Sequence, residues 1–284
     1  MSRNDINRVG APSASTEPPI TQDQEGSPFD PLSFVAPTEF VELPSRGESY
    51  GTGHPLHGEE TIEIKFMTAK EEDILSSRAL LKKGIAIERF LQSIIINKKI
   101  KPKDLLVGDR NAILIAARTS GYGNIYETTV TCPACATNGT FGFDLNNRKV
   151  KLIEVSSDVV NQGNGTFGIK MPFSKFNISF RLLTGEDETY LAKMSTSKKK
   201  INNVDSVLTE QYKRMIISVE GHTDRSIIAK YVDAMPTQDS RHLRKSYKLA
   251  TPDVNIIEDY ECPSCGHEQE LEVPFGADFF WPDR

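Results

Sequence analysis

Thr131-Cys-Pro-Ala-Cys135 and Glu261-Cys-Pro-Ser-Cys265 decide how this chain is read, because they hold all four of its cysteines. Two cysteines separated by two residues can aim both sulfurs at one tetrahedral ion, with Zn–S near 2.3 Å. One such knuckle supplies two ligands, and a closed structural site needs four. The 126 residues between Cys135 and Cys262 are too many for a single ribbon hairpin. If the chain is built twice, however, its knuckles can face each other across a pseudo-twofold axis. The expected site is therefore a structural Zn2+ held by Cys132, Cys135, Cys262 and Cys265. Two half-sites completed by other ligands, such as His267 beside the second knuckle, are the open alternative.

The sequence around the knuckles supports a duplication. Ile125–Thr131 is rich in β-branched residues and Thr140–Leu145 alternates, so the first knuckle lies between strands; Val254–Glu261 and Glu268–Phe275 flank the second in the same way. Phe66-Met-Thr-Ala-Lys-Glu-Glu-Asp73 parallels Leu182-Leu-Thr-Gly-Glu-Asp-Glu-Thr189, each placing a Thr three residues before a carboxylate, the spacing of a helix-opening cap. Asp109 precedes Cys132 by 23 residues and Asp239 precedes Cys262 by the same 23. Thr68 to Cys132 spans 64 positions and Thr184 to Cys262 spans 78, so the second half carries about 14 extra; Val219–Ser226, a turn-like stretch, is the candidate insertion.

Between these landmarks the pattern predicts helices over about 69–83, stopped by Gly84, then over 85–97 and 104–119, with Gly121 and Gly123 ending the last. In the second half it predicts helices around Glu186–Met194, Val204–Ser218 and Ser226–Asp233, and one starting near Pro236. The expected fold is α+β: two pseudo-repeated halves of helices and short antiparallel strands, joined at the zinc. The expected layout is a flexible Pro-rich arm over 1–37, a first repeat over 38–148, a linker over 149–175 and a second repeat over 176–284. The arm carries six of the sixteen prolines, and Phe34 near its end is a candidate contact.

A net charge of −5 argues against wholesale wrapping of nucleic acid, which needs a basic face. A nucleic-acid-binding zinc ribbon stays the first rival reading, although Asp259, Glu261, Glu268, Glu270 and Glu272 ring the second knuckle; DNA binding that weakens steeply with salt would favour it. A thiol–disulfide enzyme is the second. Its Cys-x-x-Cys would sit at a helix N-terminus, where the dipole lowers the thiol pKa, and these motifs lie between strands. No apolar run is long enough for a membrane span, and the N-terminus lacks the apolar core of a secretory signal. His54 and His57 read as a solvated loop, Gly121-Tyr-Gly-Asn124 as a helix stop, and Lys198–Lys200 as a solvated turn. The terminal Phe279-Phe-Trp281 either packs on the protein's own sheet or docks on another subunit.

Taken in order, the Glu42-Leu-Pro-Ser-Arg-Gly-Glu-Ser-Tyr50 turn, the 66–73 cap, Leu105–Tyr126, both knuckles and Pro274–Pro282 resemble the base plate proteins of T4-like contractile-tailed bacteriophages, in the hub subunit or hub-assembly group. The resemblance covers roughly 38–148 and 176–284. It implies a non-enzymatic protein, made in the bacterial host cytoplasm, that acts in tail baseplate assembly through contacts with other baseplate or hub proteins, as a virion component or an assembly chaperone.

Overall fold

The structure, a computed structural model, describes residues 36–153, 158–199, 207–273 and 277–280. Phe34, Trp281 and the arm up to residue 35 lie outside the described residues. The first half opens with strands β1 (Thr38–Glu42) and β2 (Thr61–Lys65), paired antiparallel. Helices α1 (Ala69–Ser76), α2 (Arg78–Lys83), α3 (Ala86–Ile94) and α4 (Val107–Tyr122) follow, and then the hairpin β3 (Ile125–Thr131)–β4 (Asn138–Asp144). β5 (Lys149–Lys151), β6 (Val159–Gly163) and β7 (Thr166–Lys170) lead to β8 (Asn177–Arg181). Helices α5 (Gly185–Lys199) and α6 (Val207–Met215), strand β9 (Ile216–Val219), and helices α7 (Arg225–Asp233) and α8 (Thr237–Ala250) come next. The chain closes through β10 (Asp253–Asn255) and the hairpin β11 (Ile257–Glu261)–β12 (Glu268–Glu272). The class is α+β, with short antiparallel strands throughout.

The stretch 149–175 is not a bare linker. It supplies β5, which pairs with β10, and β6 and β7, which complete a four-stranded sheet in the order β6-β7-β8-β9. Phe167, Ile169, Ile178 and Phe180 line the buried face of that sheet, so β7 is as much a core element as β8. Smaller departures have local causes. The predicted helix over 69–83 breaks at Ser77, whose extended backbone (φ −63°, ψ 106°) both ends α1 and opens α2. Gly121 lies inside α4 rather than ending it; Gly123, at φ 87°, takes the stop.

Similar local devices occur in the first and second parts of the chain. Thr68 and Thr184 precede α1 and α5, and each presents its backbone N–H and hydroxyl to a carboxylate three residues on, Glu71 and Asp187. A cation three residues before each Thr completes the group: Lys65 bonds Glu71 at 2.8 Å and Arg181 bonds Asp187 at 2.7 Å. Burial alone would raise the Glu71 pKa, but hydrogen bonds from Lys65, Ser93 and Thr68 outweigh it and hold the carboxyl at about 2. Burial likewise opposes Asp187, and Arg181, the Thr184 N–H and Arg214 hold it at about 2. Asp109 and Asp239, each third in its helix, reach back to a turn between two paired strands. Asp109 accepts from the Ser45 N–H and hydroxyl and from Tyr50 OH, and Asp239 accepts from the Phe173 and Ser174 N–H groups. Both aspartate side chains are fully buried, so each turn is held by bonds to a carboxylate shielded from solvent.

The halves are not separate lobes. The described residues form one compact unit, and a single apolar cluster runs from Val41 through Phe90 and Ile113 to Phe180, Leu243 and Phe280. Gly108 in α4 shows how closely the halves are fused: a Cβ there would lie 2.1 Å from the Pro252 carbonyl oxygen at the foot of β10. Thr184 bridges to Leu106, and the Gly185 N–H donates to the Leu105 carbonyl at 3.0 Å. Apolar packing thus joins the two parts of the chain, and the four cysteines, two from each part, come together beside the main core.

Candidate metal centre

The two cysteine hairpins stand face to face. Their inner faces carry Val130, Phe141, Tyr260 and Leu271, a satellite cluster beside the main core that includes buried Cys132 and Cys262. The Phe141 and Tyr260 rings meet edge to face at 5.4 Å between centroids. Nearer the roots, Glu258 accepts from the Asp144 N–H at 2.8 Å. Each hairpin thus offers one half-apolar face to the other, enough to align them but little area to hold their tips.

At the tips the two knuckles have the same backbone. Cys132 N–H donates to the Thr137 carbonyl and Cys262 N–H to the His267 carbonyl, both at 2.9 Å. Ala136 N–H donates to the Cys132 carbonyl and Gly266 N–H to the Cys262 carbonyl, again both at 2.9 Å. The residue after the second cysteine is left-handed in each, Gly266 at φ 69° and Ala136 at φ 58°. Glycine adopts that conformation freely, whereas an alanine there costs roughly 1 kcal/mol.

All four sulfurs lie within 4.8 Å of one another. Cys132 Sγ is 3.8 Å from Cys265 Sγ, and Cys135 Sγ is 3.7 Å from Cys262 Sγ. The first cysteine of each knuckle therefore meets the second of the other, as a twofold axis between them requires. An ion 2.3 Å from each sulfur of a regular tetrahedron separates the sulfurs by about 3.8 Å, so the set fits a tetrahedral thiolate-bound ion. The thiols are free, and their spacing is far beyond a disulfide bond. No His, Asp or Glu joins the four among the described residues. His267, considered from sequence as a completing ligand, gives its backbone to the turn instead.

The electrostatics favour an ion as well. Thr137, through its hydroxyl and backbone N–H, pulls the Cys135 thiol down to about 6. The Ser264 N–H lowers Cys262 against the cost of burial. The His267 N–H acts in the same direction on Cys265, but the neighbouring sulfurs outweigh it and push that thiol up to about 12. Four sulfurs this close cannot all ionise unaided, and a divalent cation removes the conflict. Four ligands fill a tetrahedral shell, so the arrangement serves a structural ion rather than one that activates water.

Of the other sequence-selected residues, Phe279 and Phe280 are buried in the chain's own core, at 1% and 0% exposure. Phe280 meets Phe90 edge on at 5.1 Å, Phe279 meets Tyr126 at 5.1 Å, and buried Arg118 donates to the Phe279 carbonyl at 3.2 Å. As partner contacts these two are corrected: they carry the chain's end back into the first half. His54 and His57 sit in the β1–β2 connection, where His54 stacks on Tyr50 and accepts from the Leu56 N–H. The second hairpin's outer face pairs Asp259 with Glu270 and Glu261 with Glu268, all exposed, a surface that repels phosphate. Thr137, Phe141 and Tyr260, which fix the knuckles and align the hairpins, escaped sequence reading; only their positions beside the cysteines or in alternating strands hint at the role.

No curated protein and no solved structure matched the chain. A family model, described as T4 bacteriophage base plate protein, matches residues 37–281, including the 149–175 stretch that the sequence resemblance left out. With that match covering most of the chain, the protein belongs to the T4 bacteriophage base plate protein family.

Proposed function

We propose that the protein is a non-enzymatic component of phage tail baseplate assembly, acting at the hub, and that it binds one structural Zn2+ through Cys132, Cys135, Cys262 and Cys265. We read it as an internal duplication whose two knuckles share the ion. The observation that carries the zinc is the crossed pairing of sulfurs at 3.7 and 3.8 Å, the spacing of a thiolate tetrahedron. The repeated caps, the buried third-position aspartates and the matching knuckle hydrogen bonds support the duplication. The repeats are then better bounded at about 38–151 and 166–280, since β1–β2 and β7–β8 are the equivalent hairpins. The family supports a role among other phage structural proteins, in the virion tail. Synthesis and first assembly would take place in the host cytoplasm, and Phe34 and Trp281 remain candidate contacts. No helix among the described residues is long and apolar enough to cross a membrane.

The test measures metal and assembly separately. Purified full-length protein should carry one zinc per chain, and Cys132→Ser or Cys262→Ser alone should remove all of it. Loss of only half the metal from either variant would mean two half-sites. Phage carrying the metal-free variants should yield fewer complete tails. Metal-loaded protein that never associates with tails or their intermediates would sink the baseplate role and leave the metal site standing.

A further inference from the structure

The duplication exposes a difference between the halves. Both Asp-capped turns join paired strands, but the β1–β2 connection runs over 43–60 and the β7–β8 connection only over 171–176. The extra length folds back over its own turn: the Gly58 N–H donates to the Gly47 carbonyl at 3.1 Å, and Leu56 is 2% exposed. A Cβ on Gly47 would lie 2.4 Å from the Glu59 nitrogen, so that cover sits directly on the turn. Pro44, Ser45, Gly47, Ser49 and Tyr50 are consequently buried.

The second turn has no such cover. Phe173, which stands where the first turn has buried Ser45, is 63% exposed, and Phe176 is 42% exposed. Phe176 packs on Tyr231 at 5.8 Å, and Ile227, one helical turn away on α7, is 39% exposed. The turn is nonetheless held rigidly. Asp239 accepts two of its N–H groups, the Met171 N–H donates to the Phe176 carbonyl at 2.8 Å, and Lys175 sits at φ 62° with its ammonium on the Pro172 carbonyl. Rigid, exposed aromatics lose little entropy on binding and make effective anchors.

Charge indicates the partner's chemistry. Lys170, Lys175 and Lys230 are exposed around the patch and form no salt bridge among the described residues. Of the acids around it, Glu220 accepts from the Asn177 N–H and Asp233 pairs with Lys213, leaving Asp158, which shares a cavity with Lys170, against the three lysines.

The geometry points to the Phe173–Phe176 turn and the Ile227–Tyr231 face of α7 as a docking site for another phage tail protein, which lays an apolar loop with acidic flanks over the turn. That loop takes the place that Leu56, Glu59 and their neighbours occupy over the equivalent turn. The inference rests on the assembly reading above and names the surface through which assembly proceeds.

Hydroxyl-radical footprinting with mass spectrometry tests it, comparing the free zinc-loaded chain with the same chain in tails or tail intermediates. Phe173 and Phe176 should be oxidised in the free chain and protected in the assembly. Equal reactivity in both overturns the proposal. A Phe173→Ser/Ile227→Ser variant should keep its metal content and melting temperature and enter tails about tenfold less well. If the variant enters tails normally, the site is wrong while the baseplate role survives. If the free wild type self-associates in sedimentation and the variant does not, the occupant is a second copy and the assignment to a different protein falls.

Discussion

Phe280→Ala distinguishes an internal strut from an external anchor at the chain's end. The ring is wholly buried, against Phe90 at 5.1 Å and Phe279 at 5.5 Å. Truncating a buried Phe to Ala removes its transfer free energy and leaves a cavity, for about 3–5 kcal/mol. A well-packed site between two rings should fall in the upper part of that range, because edge-to-face pairs add to the burial term. For a unit of this size the loss corresponds to a fall in melting temperature of about 6–20 °C. Urea and thermal melts of the full chain with its metal bound would read it. An external anchor behaves in the opposite way, since an exposed substitution shifts stability by only about 0.5 kcal/mol. A Phe280→Ala protein that melts within that margin of wild type yet fails to enter tails would refute the strut.

Removing bound metal with a chelator should abolish amide-exchange protection at the hairpin tips, about 130–139 and 260–269, while that of α4, β8 and the first hairpin's root at Tyr126 and Phe143 changes little, because these lie in the main core. Ala136→Gly should stabilise the metal-bound protein by roughly 1 kcal/mol by relieving the left-handed alanine, and Gly266→Ala should cost about as much, both read from denaturant midpoints. Gly108→Ala should destabilise by at least about 2 kcal/mol, since the new methyl would collide with the rigid Pro252 carbonyl. Glu71 and Asp187 have folded-state pKa values lowered to about 2, so their contribution is intact above the unfolded carboxylate range near 4 and is lost as pH falls toward 2. Each contributes at most about 3 kcal/mol, and Glu71→Gln should flatten the melting temperature between about pH 4 and 2 relative to wild type.

Much of this was legible in the sequence because it rests on local chemistry. A Thr three residues before a carboxylate is a helix cap whatever surrounds it, and two Cys-Pro-x-Cys turns between alternating strands pointed to four sulfurs gathered in one place, as the structure has them. The equal spacing from Asp109 to Cys132 and from Asp239 to Cys262 likewise singled out two aspartates that the structure buries at the third position of a helix. The strands within 149–175 were missed because Asn161-Gln-Gly-Asn-Gly165 reads as loop composition. It is instead a hairpin turn with Gly163 and Gly165 at positive φ, and the apolar residues of β7 alternate beside it. The fate of Phe279 and Phe280 was not legible at all: a terminal aromatic pair looks the same whether it fills a pocket of its own chain or of a neighbour's. Only the cavity beside Phe90, assembled from residues far apart in sequence, decides between the two.

The location of the cysteines narrows what an ion held by them would do. Were it the link between halves, the rest of the contact between them would be sparse. Instead Thr184 bridges to Leu106, β5 pairs with β10, Gly108 admits Pro252 against its backbone, and the terminal aromatics cross into the first half. What lacks support without metal is the pair of hairpin tips, where the satellite cluster has only Cys132, Tyr260 and Cys262 fully buried. Two-stranded hairpins with so small an apolar face do not hold a fixed shape alone. An ion bound by the four thiolates would contribute its binding free energy at that point and stiffen the two hairpin tips against each other.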